Sequence, residues 1–237
     1  MNNLKKQKAI PYLSVDEMKK LKSELKDKYQ DAETRVFNEV AFKNVLENYV
    51  HKEDIFLDMG SANGYIFQLL DHIGVIHSYG ADIDDYLSKG FPHKGLKTFD
   101  FNMDKYPYPD KYFNVISAIE TIEHLENPFH FVREISRLLK DGGICILSTP
   151  NPNHIFNKIL FMVRGEFYRF LRGNDHITFL TDPILKKGLL KFFEIIEVSY
   201  LIPEMPWRFL TKFKYPANKH FGRVVLYVFK KRQLDLA

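Results

Sequence analysis

Between Ile55 and Ser148 short apolar runs alternate with helical stretches, and this rhythm constrains the fold more than any other feature of the chain. Strands are expected at Ile55–Leu57, Ile76–Ala81, Leu96–Phe99, Val115–Ile119 and Ile144–Ser148. Helices are expected at Ile66–His72, Asp84–Ser88 and Pro128–Leu139. Strands that are apolar throughout, separated by helices, specify a parallel sheet covered on both faces. Asp141-Gly142-Gly143 reads as a helix stop and turn before the fifth strand. After Pro150 the rhythm breaks. Asn151–Asp175 is rich in aromatics and arginine, a helix is expected over Asp182–Leu190, and strands over Phe192–Leu201 and Val224–Phe229 flank a proline-bearing insert, Pro203–Phe221.

Two helices are expected before the first strand. Ser14 and Glu17 form a capping box for a helix over Val15–Tyr29 with a solvated, lysine-rich face. A second, Ala32–Tyr49, carries Val36, Phe37, Val40, Ala41, Val45 and Leu46 at helical spacing, with Phe42 beside them. These helices could cover a sheet edge or close over a ligand.

The first apolar run leads into Asp58 and then Gly60-Ser61-Ala62-Asn63-Gly64, after which a helical pattern opens with Ile66, Leu69 and Leu70. Such a turn aims backbone N–H groups and the positive end of a helix at an anion above it. Its glycines let a ligand approach the backbone.

Composition narrows the function classes. A chain of 237 residues, 45% hydrophobic, suits one domain with an elaboration or two small ones. Its net charge of +4 does not by itself argue for nucleic acid. The single Cys145 excludes a disulfide framework and a thiolate zinc cluster, and its place in Ile144–Leu147 marks it as a buried strand thiol. Met1–Lys8 is polar and basic with no apolar region behind it, and no run approaches the roughly 20 apolar residues of a membrane-spanning helix. A cytoplasmic location is the expectation.

Four stretches, in order, resemble one family. LDMGSANG is similar to a D-x-G-x-G-x-G first motif, YGADID to a second strand with its terminal acid, and FDFN to the acid after a third strand. FNVISAIETIEHLENP with REISRLLKDGGICILSTPN resembles a fourth strand, its helix and a fifth strand. Together they resemble the class I S-adenosylmethionine-dependent methyltransferases, over about Asp54 to Asn153 and more weakly to the C-terminus. The resemblance implies a Rossmann-like α/β fold: a seven-stranded, mostly parallel sheet with an antiparallel last strand and helices on both faces. It implies a single methyltransferase domain over 1–237, with a helical extension at 1–50, a cofactor-binding core at 51–153, acceptor-side elaborations at 154–222 and a terminal strand and tail at 223–237. One departure stands out: the family's middle glycine is Ala62 here.

The cofactor implied is S-adenosyl-L-methionine. Gly60, Ser61, Ala62 and Gly64 would meet its methionyl end, whose carboxylate would use the loop N–H groups and the helix start. Asp58 would orient the loop and the ammonium. Asp82, followed by Ile83, would accept from the ribose hydroxyls, with Asp84 the alternative or a helix cap. Asp100 would accept from the adenine amino group, with Phe101 on the ring face. Ile119 and Glu120 would sit beside the methionyl part and the sulfonium. A nicotinamide enzyme is disfavoured, because G-x-G-x-x-G would need glycines where Ala62 and Tyr65 stand.

Glu123 and His124 follow the fourth strand. His124 is the first choice as base or acceptor-orienting residue, and His176 the second. Glu123, His124 and His176 are also metal-ligating residue types, but no ligand spacing connects them and no metal is expected. The acceptor expected is a small molecule, a glycan or a lipid-like compound, with O-methylation favoured and no nucleic acid. His154–Leu171 could form a lid touching a lipid acceptor or the membrane surface; a helix buried on the core is preferred. The basic residues Lys158, Arg164, Arg169, Arg172, Arg208, Lys212 and Lys214 could receive an acidic acceptor. The rival reading is a non-catalytic cofactor-binding or scaffold protein of the same fold. Oligomeric state is not legible.

Overall fold

The structure, a computed structural model, describes residues 36, 39–87, 94–170, 175–203 and 217–233. The expected capping box at Ser14, the helix Val15–Tyr29, most of the insert Pro203–Phe221, and Arg172, Arg208, Lys212 and Lys214 lie outside the described residues.

Seven strands form one sheet: β1 (Ile55–Met59), β2 (His77–Asp82), β3 (Gly95–Thr98), β4 (Phe113–Ala118), β5 (Leu139–Pro150), β6 (Phe193–Pro203) and β7 (Gly222–Lys231), in the order β3-β2-β1-β4-β5-β7-β6. β1 pairs in parallel with β2 and β4, β2 with β3, and β4 with β5. β7 runs antiparallel between β5 and β6. The helices are α1 (Val40–Tyr49), α2 (Tyr65–Ile73), α3 (Pro128–Leu138), α4 (Ile155–Arg164) and α5 (Asp182–Leu189).

Successive strand residues feed two cores, as the two-residue period of a strand requires. Phe56, Val115, Ile146, Leu226 and Val228 join Phe42, Val45 and Leu46 of α1 and Ile66, Phe67 and Leu70 of α2 on one face. Leu57, Ile116, Cys145, Tyr227 and Phe229 join Phe131 and Ile135 of α3 and Leu185 of α5 on the other. Burial on both faces explains why these strands read as unbroken apolar runs. Cys145 is buried as expected, and burial pushes its thiol up to about 12.

Several expectations need correction. In α1, Val45 and Leu46 are buried as expected, and Phe42 with them, while Val40 is 71% exposed; the helix packs against β6 and covers the sheet. No helix forms over residues 84–87, and Asp84 bonds the N–H of Asp85 rather than capping a helix. α3 ends at Leu138, before Asp141, and Asp141–Gly143 is an irregularity inside β5: the register jumps from Phe113↔Leu139 to Val115↔Ile144. Gly142 takes the positive φ, 77°, that this needs. The apolar stretch after His154 is not a buried helix. In α4 Asn157 is the buried residue, and Phe161, Met162 and Val163 are 52%, 79% and 74% exposed.

Candidate active site at the carboxyl ends of β1, β2 and β4

β1 ends in Asp58 and Met59, and the chain turns through Gly60–Gly64 into α2. Gly60, Ala62 and Gly64 all have positive φ, at 83°, 42° and 79°. Ala62 therefore adopts the left-handed backbone that glycine takes without strain. At Gly60 a side chain has no room: a Cβ would overlap Thr121 Oγ1 and come within 3.0 Å of its Cγ2.

The turn is lashed to the end of β2. Gly60 and Ser61 N–H donate to the Ala81 carbonyl at 2.8 and 3.1 Å. Ser61 Oγ accepts from Ala81 N–H at 3.0 Å. Ala62 N–H donates to Asp82 Oδ2 at 2.9 Å, and Ile83 N–H to Asp82 Oδ1 at 2.7 Å. These bonds correct one expectation, since the N–H groups of residues 60–62 point at β2 and not at a bound carboxylate. At the start of α2 Gly64 gives no side-chain cap and the first turn holds no acid, while Asn63 Oδ1 accepts from Tyr65 N–H at 3.1 Å; the positive end of the helix lies beside the turn.

Two acids meet beside this turn. Asp58 and Asp82 are each 3% exposed. Asp58 Oδ1 accepts from Ser117 Oγ at 2.5 Å, across the β1–β4 register. Burial, with the nearby Asp82 adding to it, raises the Asp58 carboxyl to about 7. Asp100 lies after β3, half-buried, and accepts from Asn102 N–H at 2.8 Å. Phe101 does not lie open beside it. Its ring is 6% exposed and packs at 5.1, 5.8 and 5.7 Å from those of Phe99, Tyr106 and Phe131, so it belongs to the core.

The end of β4 carries the second group. Ile119 is 4% exposed and part of the apolar core. Glu120 takes φ 49°, a strained backbone for a glutamate. Its N–H and carboxylate both engage Ser148 Oγ, at 2.9 and 3.0 Å, and Arg169 Nη2 stands 3.6 Å from Oε2. Glu123 and His124 occupy a short 3-10 turn, Ile122–His124. Residues 175–178 close over it, with Ile177 and Thr178 N–H both donating to the Glu123 carbonyl at 2.9 Å. That brings His176 to His124, ring centroids 4.8 Å apart, and sets Asp175 Oδ2 3.0 Å from His124 Nδ1. Burial, with His124 and Arg169 nearby, pushes the His176 imidazole down to about 3. Glu123 is fully buried and its carboxyl is held well above the usual range, first by burial and then by Glu120.

Glu120, Glu123, His124 and His176 therefore share one cluster, and Asp58, Gly60, Ser61, Ala62, Gly64, Asp82 and Ile83 share the neighbouring turn. Thr121 joins the two, since it abuts Gly60 and its Oγ1 lies 3.1 Å from the Met59 carbonyl. Ser117, Thr121, Ser148, Arg169 and Asp175 were not singled out from sequence for these positions. Single hydroxyls carry no pattern, and the last two come from distant loops.

The methyltransferase domain family matches residues 22–192, well over half the chain. A mitochondrial ubiquinone biosynthesis O-methyltransferase of Dictyostelium discoideum is 24% identical over 60% of this chain, which spans 49% of that protein's length. A ubiquinone biosynthesis O-methyltransferase of Psychrobacter cryohalolentis is 38% identical over 32% of this chain and 30% of its own. Among solved structures, a S-adenosylmethionine-dependent methyltransferase of Archaeoglobus fulgidus superposes with TM-score 0.59 at 20% identity, covering 81% of this chain and 93% of its own. A complex between the Haloferax volcanii Trm112 methyltransferase activator and a methyltransferase gives TM-score 0.69 at 16% identity, covering 94% of this chain and 100% of the matched one. No helix among the described residues is long and apolar enough to cross a membrane. With the sheet order, the acid-flanked glycine turn and the match over residues 22–192 in hand, the chain belongs to the methyltransferase domain family, in the class I S-adenosylmethionine-dependent fold.

Proposed function

We propose that the protein transfers the methyl group of S-adenosyl-L-methionine to an oxygen of a small-molecule, glycan or lipid-like acceptor. The observation that carries the reading is the pair of buried acids, Asp58 and Asp82, beside the glycine turn. A carboxyl buried to this degree calls for a cation, and a zwitterionic, sulfonium-bearing ligand brings positive charge to that place. Gly60, which has no Cβ, keeps the turn low, and Asp82, which holds the turn to β2, would accept from the ribose hydroxyls through its remaining lone pairs. Asp58 would hold the ammonium, Asp100 the adenine amino group, and Ile119 and Glu120 the methionyl flank.

Bound, the cofactor supplies an activated methyl: its carbon–sulfur bond breaks as a carbon–oxygen bond forms, and the sulfur keeps the electron pair. The chain's share is positioning and exclusion of water, which can lower such a barrier by several kcal/mol. His124, with Asp175 Oδ2 3.0 Å from its Nδ1, would take the acceptor's proton. The oxygen preference is supported by the O-methyltransferase relatives.

Calorimetric titration with S-adenosyl-L-methionine tests the reading. Micromolar binding is expected in the wild type, and its loss in Asp82→Ala. His124→Ala should keep that binding and slow turnover about 10²-fold or more. Absence of cofactor binding in the wild type would refute the assignment, and full activity in His124→Ala would remove the base.

A further inference from the structure

Glu123 and His124 are neighbours in sequence, and His176, far from them along the chain, joins them in space. Each offers one ligand atom, and these atoms lie within 4.8 Å of one another. We propose that Glu123, His124 and His176 bind a single divalent transition-metal cation of the zinc class.

Three observations besides the proximity point there. First, Glu123 is 0% exposed, and neither of its carboxylate oxygens has a hydrogen-bond partner among the described residues. Buried carboxylates are ordinarily paired, hydrogen-bonded or bound to metal, because leaving one with nothing is strongly unfavourable. Second, Asp175 Oδ2 sits 3.0 Å from His124 Nδ1. A carboxylate this close to an imidazole could accept from it and hold the ring while its other nitrogen ligates. Third, three carboxyl groups meet here, those of Glu120, Glu123 and Asp175, with Arg169 at 3.6 Å from Glu120. A bound dication would let the buried Glu123 be held in its ionised form.

The scaffold is set independently of these side chains. The main-chain bonds from Ile177 and Thr178 to the Glu123 carbonyl, both 2.9 Å, hold the His176 segment on the 3-10 turn. Two imidazoles and one carboxylate favour a borderline ion over hard, oxygen-seeking magnesium or calcium. Three protein ligands leave a fourth position open. This rests on the proposed methyl transfer and revises one role in it: the open position would take the acceptor's oxygen and make its hydroxyl more acidic, and His124 would serve as a ligand in place of the base assigned above. The acceptor class is thereby narrowed to compounds presenting a metal-binding hydroxyl.

The untagged full chain, stripped with a chelator and dialysed, is titrated with Co²⁺ while visible d–d absorption is followed, and Zn²⁺ is then added as competitor. The expected result is one equivalent of Co²⁺ bound with absorption typical of a nitrogen- and oxygen-ligated site, displaced by Zn²⁺. Glu123→Gln and His176→Gln should each weaken binding at least 100-fold, and Asp175→Asn about 10- to 100-fold, with circular dichroism unchanged. His176→Gln carries the test if Glu123→Gln fails to fold. Substoichiometric Co²⁺ binding by the wild type, or wild-type affinity in both ligand variants, overturns the proposal. Titration with S-adenosyl-L-methionine on the same samples separates the two readings: cofactor binding without metal binding sinks only the metal site, and metal binding without cofactor binding sinks only the function.

Discussion

Replacing Gly60 by alanine tests the geometry of the cofactor turn most directly. The cost has two separable sources. The residue sits at φ 83°, where an L side chain is strained by about 1–2 kcal/mol. The new Cβ also overlaps Thr121 Oγ1 and approaches its Cγ2 to 3.0 Å, which adds about 1–3 kcal/mol of overpacking. Gly60→Ala should therefore destabilise by about 2–5 kcal/mol, the sum of those ranges. Thr121→Ala removes the two nearest atoms and leaves the residue 121 Cβ at 3.3 Å, a tight contact relieved by a shift of a few tenths of an ångström. By itself it loses the hydroxyl's bond to the Met59 carbonyl, about 0.5–1.5 kcal/mol. In the Thr121→Ala background Gly60→Ala should cost only the backbone part, about 1–2 kcal/mol. Urea unfolding of wild type, both singles and the double variant gives the coupling energy. Additivity within about 0.5 kcal/mol would refute the steric account.

Three further outcomes follow from the same geometry. Ala62→Gly relieves about 1–2 kcal/mol of left-handed strain and gives back about 0.4–1 kcal/mol of unfolded-chain entropy, so a net gain of up to about 1.5 kcal/mol is expected by denaturant titration; a loss of stability would contradict φ 42° at this residue. Because burial raises Asp58 to about 7 in the folded state, its favourable contribution is present below the unfolded value near 4 and disappears as pH rises to about 7. Wild type should thus lose stability relative to Asp58→Asn between about pH 4 and 7, while affinity for the cationic cofactor rises as pH approaches and passes about 7; parallel stability profiles would rule this out. Arg137 bonds Glu134 twice, at 3.0 and 2.7 Å, and also the Tyr106 and Tyr108 carbonyls. Arg137→Ala should cost about 3 kcal/mol through the buried Glu134 it abandons, and a thermal-melt change of under a degree would show the network to be inert.

The central strands were legible because each is buried on both faces and so reads as an apolar run with little ambiguity. Ile55–Leu57 and Val224–Phe229 fall inside the observed strands. What misled was local. Asp84–Ser88 has the composition of a short helix, yet after β2 the chain bends without forming one over residues 84–87. Phe101 follows an acid that would face adenine, but the aromatic ring has more to gain among Phe99, Tyr106 and Phe131. Asp58, Gly60 and Asp82 were found through the family resemblance, whose motifs sit at strand ends, and the structure puts all three beside one turn. The polar cluster could not be placed so, because the segment holding Asp175 and His176 reaches Glu123 through main-chain bonds that leave no mark in composition. Ala62 looked like a departure from the glycine pattern; the backbone keeps glycine's conformation and strains the alanine into it.

The position of β7 has a consequence for how the molecule is made. It is synthesised after β6 yet lies inside it, zipped to β5 on one side and β6 on the other. Until residues 222–231 leave the ribosome, β5 has an open edge and Ile144, Ile146 and Leu147 lack their lateral neighbours. The turn and the acids that would hold the cofactor are complete in sequence long before that, so the half of the protein carrying chemistry waits, with exposed strand edges, for its last strand to close the sheet.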